Sequence, residues 1–533
     1  MGLNLLAIIL TLILTVLLIG VQADEYHSSG SEWRARRSTR AASGEQLAEF
    51  WNFDAQHRLL HQLSVRHNHN IAKNVILFLG DGMSVATLAA SRMYLGQLQG
   101  HTGEESRLFF EDFPYTGLAK TYCVDKQVAD SACTATAYLT GVKANYATIG
   151  VTAAVKRYNC TSARDTATHV DSLAAWAQKT GKGTGFVTTA RVTHASPAGV
   201  YAHTANRDWE SDADVVKSKE NPKMCQDIAS QLINSDPGRK LKVILGGGRN
   251  KLLPKGMVDE QGSKGERIDG VNLIHEWMVQ KKRRPSAYVS DRKGLMGVDT
   301  NSTEYLLGLF APDHMDYNLE AQHEEQPSLA EMTVAAIEML SKEKRGYFLF
   351  VEGARIDMAH HKAKAHLALD ETVQFAEAVR MATELTNARD TLIVVTSDHS
   401  HTMTISGYAE RGNNILDFNS QRSNVDNLPY TTLMYANGPG AMPRANFTDA
   451  QRLSQMNPTV NDFVYPAHVP LKDETHGGDD VAVFANGPWA HLFVGMYEQN
   501  LIPHAIGYAS CIGEGLTACR RPLATYSTYR RKH

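Results

Sequence analysis

Ser131 lies in the segment Ala129-Asp130-Ser131-Ala132-Cys133-Thr134-Ala135, where a short polar stretch runs into alanine-rich sequence. Alanine favours helix, so we predict that a helix begins at this serine. The free N–H groups and the dipole of a helix N-terminus favour an anion, which would place the Ser131 hydroxyl beside a negatively charged substrate group. Taken alone, the serine fits an ordinary helix cap equally well.

Residues that can bind metal ions follow several apolar runs of the chain. These residues are Asp81, His194 with Ser196, Glu352, and Asp398 with His399. A polar residue in such a place is often only a turn former. In open parallel sheets, however, ligands bind beyond the carboxyl ends of the strands, so four such ends together predict a metal centre.

Two sets of residues have the nitrogen and oxygen ligands that zinc prefers. Asp357 and His361 are four positions apart, so on a helix they project from one face. With His476 they supply two imidazoles and a carboxylate, leaving one zinc position open for water or substrate. The second predicted set is Asp81, Asp398 and His399.

A third set offers only hard oxygen ligands. Ser196 and Glu352, with Asp81 shared, suit magnesium whose remaining positions are filled by water. Each of these residues, taken singly, is more often a satisfied polar residue. Jointly they predict a two-zinc and one-magnesium centre beside a serine.

Such a centre can catalyse an in-line displacement. One zinc ion would lower the pKa of the Ser131 hydroxyl and make it a nucleophile, while the other would neutralise the leaving oxygen and activate water. Arg207, in Asn206-Arg207-Asp208-Trp209, can bind two phosphoryl oxygens with its planar guanidinium. Alone, Arg207 is as readily a surface ion-pair partner.

Alternating strands and helices are predicted around these residues. Continuous apolar runs predict buried strands at 74–79, 185–189, 242–245, 347–351 and 391–396. Helical segments are predicted at 166–179, 328–341 and 363–385. This order indicates an α/β fold with a doubly wound, mainly parallel central sheet flanked by helices.

We assign the α/β domain to residues 44–403 and 471–520. Residues 404–470 are rich in Asn, Pro, Gly and Ser, which predicts an inserted surface subdomain. Residues 45–70 have apolar residues at helical spacing and are predicted to form an N-terminal helical arm outside the main core.

The composition and net charge indicate the general class of the protein and the kinds of partner it can bind. Its 533 residues are 43% hydrophobic, as in a globular protein with a substantial core. A net charge of −3 gives no sign of a nucleic-acid-binding protein.

Several segments indicate a location outside the cytosol. Residues 1–23 are predicted to be a cleaved signal peptide, with an uncleaved membrane anchor as the alternative. Residues 24–43 are predicted to be a disordered basic segment in which 34–37 is either a processing site or a solvated run, and 521–533 are a basic tail. The six cysteines fit this compartment, as do the glycosylation sequons at Asn159, Asn301 and Asn446.

Several motifs follow one another in order along residues 45–520: Gly80-Asp81-Gly82-Met83, Asp130-Ser131-Ala132, His194-Ala195-Ser196-Pro197-Ala198-Gly199, Val351-Glu352-Gly353, Arg355-Ile356-Asp357, Asp398-His399-Ser400-His401 and Glu474-Thr475-His476. In these motifs the chain resembles alkaline phosphatases, especially those of animals. The resemblance implies hydrolysis of phosphate monoesters through a phosphoserine intermediate.

The resemblance also implies residue roles and an assembly. Ser131 would be the phosphorylated nucleophile, Arg207 would hold the phosphate, and His194 would lie behind the magnesium ligands. The implied ligands of the first zinc, the second zinc and magnesium are Asp357, His361 and His476; Asp81, Asp398 and His399; and Asp81, Ser196 and Glu352. The family is dimeric, so we expect a homodimer in which the arm embraces the partner and the insertion forms a crown.

The chain departs from the family near a calcium site that many animal relatives carry. Ala311 and Gln326 stand where the family pattern has acidic residues, and Glu260 is at most a remnant ligand. Without two carboxylates a hard cation loses most of its attraction, so we predict no calcium there. Met358 replaces a frequent histidine, from which we expect altered tuning of the metals rather than lost activity.

The cysteines and the C-terminus carry further expectations. By family neighbourhood, Cys160 is expected to pair with Cys225, and Cys511 with Cys519. Cys133 is unusual at its position, and a bridge to Cys123 would brace the loop that holds the nucleophile. No hydrophobic tail follows the basic C-terminal residues, so the usual lipid-anchor signal is predicted to be missing.

Three other classes of protein fit less well. Sulfatases need a Cys/Ser-x-Pro-x-Arg pattern that is missing from the sequence at Ser131, and phosphodiesterases usually use threonine and lack the Arg207 context. A binding protein that keeps the fold without chemistry is expected to have lost the nucleophile or a zinc ligand, and this sequence retains both.

Overall fold

The computed structural model describes residues 44–441 and 456–519. The predicted signal peptide, the basic segment with its processing site, the sequon at Asn446 and the basic tail lie outside these residues.

Within the described residues the chain forms seventeen strands and fifteen α-helices. The strands are β1 (Asn74–Gly80), β2 (Tyr115–Lys120), β3 (Gly183–Arg191), β4 (Val243–Gly247), β5 (Ser286–Val289), β6 (Tyr305–Leu309), β7 (Tyr347–Gly353), β8 (Thr391–Thr396), β9 (Ser400–His401), β10 (Met403–Ile405), β11 (Phe418–Arg422), β12 (Pro429–Thr431), β13 (Leu433–Gly438), β14 (Ala467–Pro470), β15 (His476–Gly477), β16 (Val481–Asn486) and β17 (Gly495–Glu498). The helices are α1 (Ala48–Ser64), α2 (Val85–Leu98), α3 (Ser131–Thr140), α4 (Cys160–Ala163), α5 (Leu173–Lys179), α6 (Ala195–Ala198), α7 (Asp212–Lys217), α8 (Ile228–Asn234), α9 (Arg249–Leu252), α10 (Leu273–Lys281), α11 (Arg292–Met296), α12 (Leu329–Ser341), α13 (Arg355–His361), α14 (Ala365–Leu385) and α15 (Leu501–Ser510).

Ten strands form the central sheet, in the order β17-β2-β16-β8-β1-β7-β3-β4-β6-β5. Neighbouring strands pair in parallel except where β16 runs against β8 and β2. The predicted mainly parallel sheet is therefore confirmed. Strand β1 lies between β7 and β8, so the carboxyl ends of these three strands are adjacent.

The central strands are buried on both faces, which is why they appear in the sequence as continuous apolar runs. Along β1, Val75 and Leu77 pack into the core on one side of the sheet, whereas Ile76 and Phe78 pack into the core on the other. Helices α3 and α15 cover the first side, and α12 and α14 cover the second. The doubly wound arrangement follows from this alternation.

Two predicted helices are shorter in the structure. The helix predicted at 166–179 is wrong for residues 169–172: a 3-10 turn ends at Thr168 and α5 begins only at Leu173. Ser172 starts α5 by accepting a hydrogen bond from the backbone N–H of Ala175, as N-cap serines do. In the predicted arm at 45–70, α1 ends at Ser64 and has no buried residue.

The segment predicted as an insertion, 404–470, contributes none of its described residues to the central sheet. Its strands form a three-stranded sheet in the order β10-β13-β14 and a two-stranded sheet of β11 with β12. The crown-like subdomain itself remains a prediction.

Candidate active site

Ser131 is the first residue of α3, as predicted, and its side chain is buried. The preceding residue, Asp130, caps the helix by accepting a hydrogen bond from the backbone N–H of Cys133 at 3.3 Å. Ser131 Oγ lies 3.2 Å from Nε2 of His399. The hydroxyl therefore faces a predicted metal ligand from the positive end of a helix.

Strands β1, β7 and β8 bring three carboxylates to one edge of the sheet. Asp81 follows β1, Glu352 is the penultimate residue of β7, and Asp398 comes two residues after β8. The loop after β1 is held close because the backbone N–H of Gly82 donates to Asp398 Oδ1 at 2.9 Å. Gly82 has φ +67°, and a Cβ atom there would collide with the ring of His401, so glycine is required.

The predicted second zinc set converges on one fully buried point. His399 Nε2 lies 3.1 Å from Asp398 Oδ2 and 3.5 Å from Asp81 Oδ1. No side chain of this set is exposed to solvent.

The predicted first zinc set lies beside it. Helix α13 places Asp357 and His361 on one face, with His361 Nε2 3.4 Å from Asp357 Oδ1. His476, in the short strand β15, has its Nε2 3.3 Å from the same oxygen and 3.1 Å from His361 Nε2. The rings of His476 and His399 stack with their centroids 3.5 Å apart, so the two sets are neighbours.

The predicted magnesium set is also buried. Glu352, Asp81 and His194 each offer a ligand atom within 4.8 Å of the others. Ser196 lies fully buried in α6, which follows β3, the strand that pairs with β7.

Unpartnered oxygens test whether these residues fit metal ions. Both carboxylate oxygens of Asp81, Oε1 of Glu352 and Oδ2 of Asp398 are buried without a hydrogen-bond partner among the described residues. Buried polar atoms normally have partners, and an unpaired buried carboxylate is costly. Carboxylate oxygens that converge without hydrogen-bond partners are suited to bind cations.

The electrostatics of the protein alone favour the same conclusion. Burial and the neighbouring Asp398 raise the pKa of Asp81 well above its usual range. Burial raises the pKa of Glu352 to about 7, against the opposing effect of a hydrogen bond from Thr188. Burial and the nearby His476 lower the pKa of His399, which keeps its imidazole neutral as a ligand requires.

Arg207 lies beside the cluster and contacts Asp130 and His194. Its Nη1 donates to Asp130 Oδ2 at 3.0 Å, and its Nη2 lies 3.2 Å from His194 Nε2. The guanidinium is thus fixed next to the residue that precedes Ser131, where its planar fork can face a phosphoryl group.

Sequence reasoning assigned no role to three residues that support the site. His401 Nε2 lies 2.7 Å from Asp357 Oδ1, and its Nδ1 lies 2.5 Å from Glu474 Oε2. Thr188 Oγ1 donates to Glu352 Oε2 at 2.5 Å. The available signals were the position of His401 two residues after His399 and of Glu474 two before His476.

The six cysteines form three disulfides in the structure: Cys123–Cys133, Cys160–Cys225 and Cys511–Cys519. The first joins α3 to the chain ahead of it, two residues after Ser131. Two predicted glycosylation sites, Asn159 and Asn301, are exposed.

Such a cluster beside a helix-terminal serine, at the carboxyl edge of an α/β sheet, fits a metal-dependent hydrolase. Residues 72–512 match the family model described as alkaline phosphatase. The chain is 47% identical over 504 residues to a membrane-bound alkaline phosphatase of Bombyx mori, covering 93% of this chain and 91% of that protein. It is 47% identical over 492 residues to the tissue-nonspecific isozyme of Gallus gallus, covering 90% of this chain and 93% of that protein.

The chain therefore belongs to the alkaline phosphatase family, and its activity is the hydrolysis of phosphate monoesters. Solved structures agree on the fold. The alkaline phosphatase of the Antarctic bacterium TAB5 aligns with a TM-score of 0.57 at 22% identity, over 84% of this chain and all of that chain. The Thermus thermophilus alkaline phosphatase aligns with a TM-score of 0.58 at 22% identity, over 83% of this chain and 92% of that chain.

Proposed function

We propose that the chain hydrolyses phosphate monoesters through a phosphoserine intermediate formed on Ser131. The observation that carries this proposal is the position of the Ser131 hydroxyl, 3.2 Å from His399 at the start of a buried helix. Cys133, in the same helical turn, cannot serve as the nucleophile instead, because its sulfur is held in a disulfide.

The residues that would hold the cofactors are those of the three sets. Zinc fits Asp357, His361 and His476, and a second zinc fits Asp81, Asp398 and His399, because both sets combine imidazole with carboxylate. Magnesium fits Asp81, Ser196 and Glu352, which offer oxygen only. When bound, these ions would supply Lewis acidity that stabilises the serine oxyanion and the departing alcohol oxygen.

The chain's own residues then account for two displacements. In the first, Ser131 Oγ bonds to phosphorus, the bond from phosphorus to the alcohol oxygen breaks, and the serine proton ends on the alcohol. In the second, the oxygen of water bonds to phosphorus, the bond from phosphorus to Ser131 Oγ breaks, and one proton of that water passes to Ser131 as inorganic phosphate leaves. Arg207 holds two phosphoryl oxygens throughout, and Asp130 holds the guanidinium in that orientation.

Hydrolysis of an aryl phosphate at alkaline pH tests the proposal, with acid quenching during turnover followed by intact-mass analysis. We expect one phosphoryl group on wild type at Ser131, and neither label nor appreciable turnover in Ser131→Ala. Ser91→Ala, which removes another buried serine hydroxyl, serves as the control and should behave as wild type. Label at another residue, or full turnover by Ser131→Ala, would contradict the proposal.

Chelation followed by metal restoration tests the cofactors. Activity should disappear with the metals and return with zinc plus magnesium, and metal analysis should find two zinc ions and one magnesium ion per chain at the catalytic centre. Restoration by magnesium alone would contradict the zinc assignment.

We also propose that the stretch at 308–312 binds no calcium. Ala311 offers no side-chain oxygen, and the Gln326 amide is engaged with Asp316 at 2.9 and 3.0 Å. Added calcium should leave the unfolding temperature of the zinc- and magnesium-loaded protein unchanged, and a rise would contradict this proposal.

A homodimer outside the cytosol is proposed on separate grounds. Helix α1 buries none of its side chains and exposes Trp51, Phe53 and Leu60 by half or more, which suits contact with a partner subunit. The three disulfides fit an oxidising compartment. No helix within residues 44–441 and 456–519 combines the length and apolar character that spanning a bilayer requires.

A further inference from the structure

Three histidines meet at the edge of the sheet opposite the active site. His67 and His69 precede β1, whose carboxyl end leads to Asp81. His491 follows β16, which runs against β8 and therefore ends at the same edge at which β1 begins. Because β1 has seven residues, this histidine cluster lies about 20 Å from the catalytic carboxylates along the strand.

The three imidazoles are close enough to share one ion. One ring nitrogen of each lies within 4.8 Å of those of the other two. The rings of His67 and His491 stack at 4.2 Å, and those of His69 and His491 lie 5.3 Å apart. Tetrahedral zinc needs nitrogens about 3.4 Å apart. His67 and His69 are exposed, so rotation of their rings can close the difference.

The backbone that carries His67 and His69 is anchored. Asn68 and Asn70 alternate with the two histidines along the chain. Asn68 donates to the carbonyl of Ala388 at 2.9 Å, and Asn70 donates to that of Arg389 at 3.0 Å. Much of the ordering that a metal site requires is therefore present before an ion binds.

A second anchor fixes His491 relative to this segment. The backbone N–H of Trp489 donates to the carbonyl of Asn68 at 2.8 Å, and the Trp489 ring lies 4.7 Å from that of His69. Nδ1 of His491 is buried without a hydrogen-bond partner among the described residues.

The ligand chemistry selects the ion. Three imidazoles without a carboxylate disfavour magnesium and calcium, which require oxygen ligands. Zinc accepts three imidazoles with water as the fourth ligand. We propose that His67, His69 and His491 form a surface zinc site that is separate from the catalytic centre.

Zinc stoichiometry tests the proposal on tag-free protein whose catalytic sites are already loaded with zinc and magnesium. His57 and His61, four residues apart on exposed α1, are changed to Gln in every sample so that they cannot chelate zinc. After dialysis against micromolar free zinc, we expect this background to hold one more zinc per chain than the same protein with His67→Gln and His69→Gln. Equal zinc content and equal affinity in the two proteins would overturn the proposal.

A matched control removes two exposed histidines elsewhere, through His101→Gln and His275→Gln, and should keep the additional zinc. Phosphatase turnover should be unchanged in all variants, which shows that each is folded. If the double variant fails to fold, His69→Gln alone is measured and should bind the additional zinc at least tenfold more weakly. Unchanged affinity in that variant would also overturn the proposal.

Discussion

The imidazole of His401 joins two buried carboxylates, with Nε2 2.7 Å from Asp357 and Nδ1 2.5 Å from Glu474. Burial would lower the pKa of His401, but the two carboxylates raise it to about 10. Glu474 is itself held by the backbone N–H and hydroxyl of Thr402, at 2.7 and 2.6 Å. The orientation of Asp357, a proposed zinc ligand, therefore depends on a chain of contacts that reaches Thr402, between β9 and β10.

Replacement of His401 by Gln should weaken zinc binding at Asp357, His361 and His476. Outer partners of metal ligands typically contribute about 10- to 100-fold to affinity. The measurement is the rate of activity loss in a chelator, followed by titration with zinc. His366→Gln, which removes a histidine that contacts Tyr94 instead, should lose activity at the wild-type rate. Equal rates for His401→Gln and wild type would show that His401 does not position the ligand.

Asp130→Asn should weaken phosphate binding. The substitution preserves an oxygen that accepts from the backbone N–H groups of Cys133 and Ala147, but it removes the charge that holds Arg207. A hydrogen bond to a charged group contributes about 1.5–3 kcal/mol, so we expect inhibition by inorganic phosphate to weaken about tenfold or more. Competitive inhibition assays measure this change. An unchanged inhibition constant would mean that Asp130 does not orient the guanidinium.

The central strands of the sheet could be predicted from the sequence because buried parallel strands require continuous apolar runs. The apolar runs that form β1, β7 and β8 predict buried strands, and the polar residues that follow these runs lie together as expected. Strands β2 and β5 were not predicted. β5 has no buried residue, and β2 alternates buried with partly exposed positions, so pairing rather than local sequence stabilises them.

The same distinction applies to the site. Asp357 and His361 share one helical turn, so their spacing alone predicts that they lie on one face. His401 and Glu474 are 73 positions apart, and Thr188 and Glu352 are 164 apart. No local periodicity encodes contacts over such distances, and they become visible only when the sheet register is known.

Thr188→Val should weaken magnesium binding. The valine matches threonine in shape but cannot donate to Glu352, which then loses its 2.5 Å hydrogen bond. We expect about 10- to 100-fold more magnesium to be needed for full activity, with turnover largely restored at saturation. Thr184→Val, in the same strand and equally buried, is the control and should need no additional magnesium. Identical magnesium titrations for the two variants would contradict a role for Thr188.

Removal of the Cys123–Cys133 disulfide should reduce both stability and activity. In the chain-entropy model, a disulfide that closes a loop of 10 residues contributes about 2–3 kcal/mol to the free energy of unfolding. Activity should also fall, because Cys133 donates its backbone N–H to Asp130 beside Arg207. Replacement of Cys511 and Cys519 by Ser opens a disulfide loop of similar length away from the site and should leave turnover unchanged. Loss of turnover in both variants alike would indicate a general folding effect.

The stability of the metal-free protein should fall as pH rises, through the burial of Glu352. Burial raises its pKa from 4.5 to about 7, so between these values the folded chain holds a proton that the unfolded chain has lost. The stabilisation from this group is complete below pH 4.5 and is lost as pH rises through about 7. The total loss in the free energy of unfolding is about 3 kcal/mol. Bound cations would offset the charge, so the metal-loaded protein should lack this component.

Thermal unfolding of metal-free and metal-loaded protein at about pH 6 and about pH 8 measures the effect. Glu352→Gln is the matched control, because it is neutral at every pH. The metal-free wild type should lose more stability between the two pH values than metal-free Glu352→Gln, and metal should stabilise wild type most at the higher pH. If the two metal-free proteins change equally with pH, titration of Glu352 is not the source of the dependence.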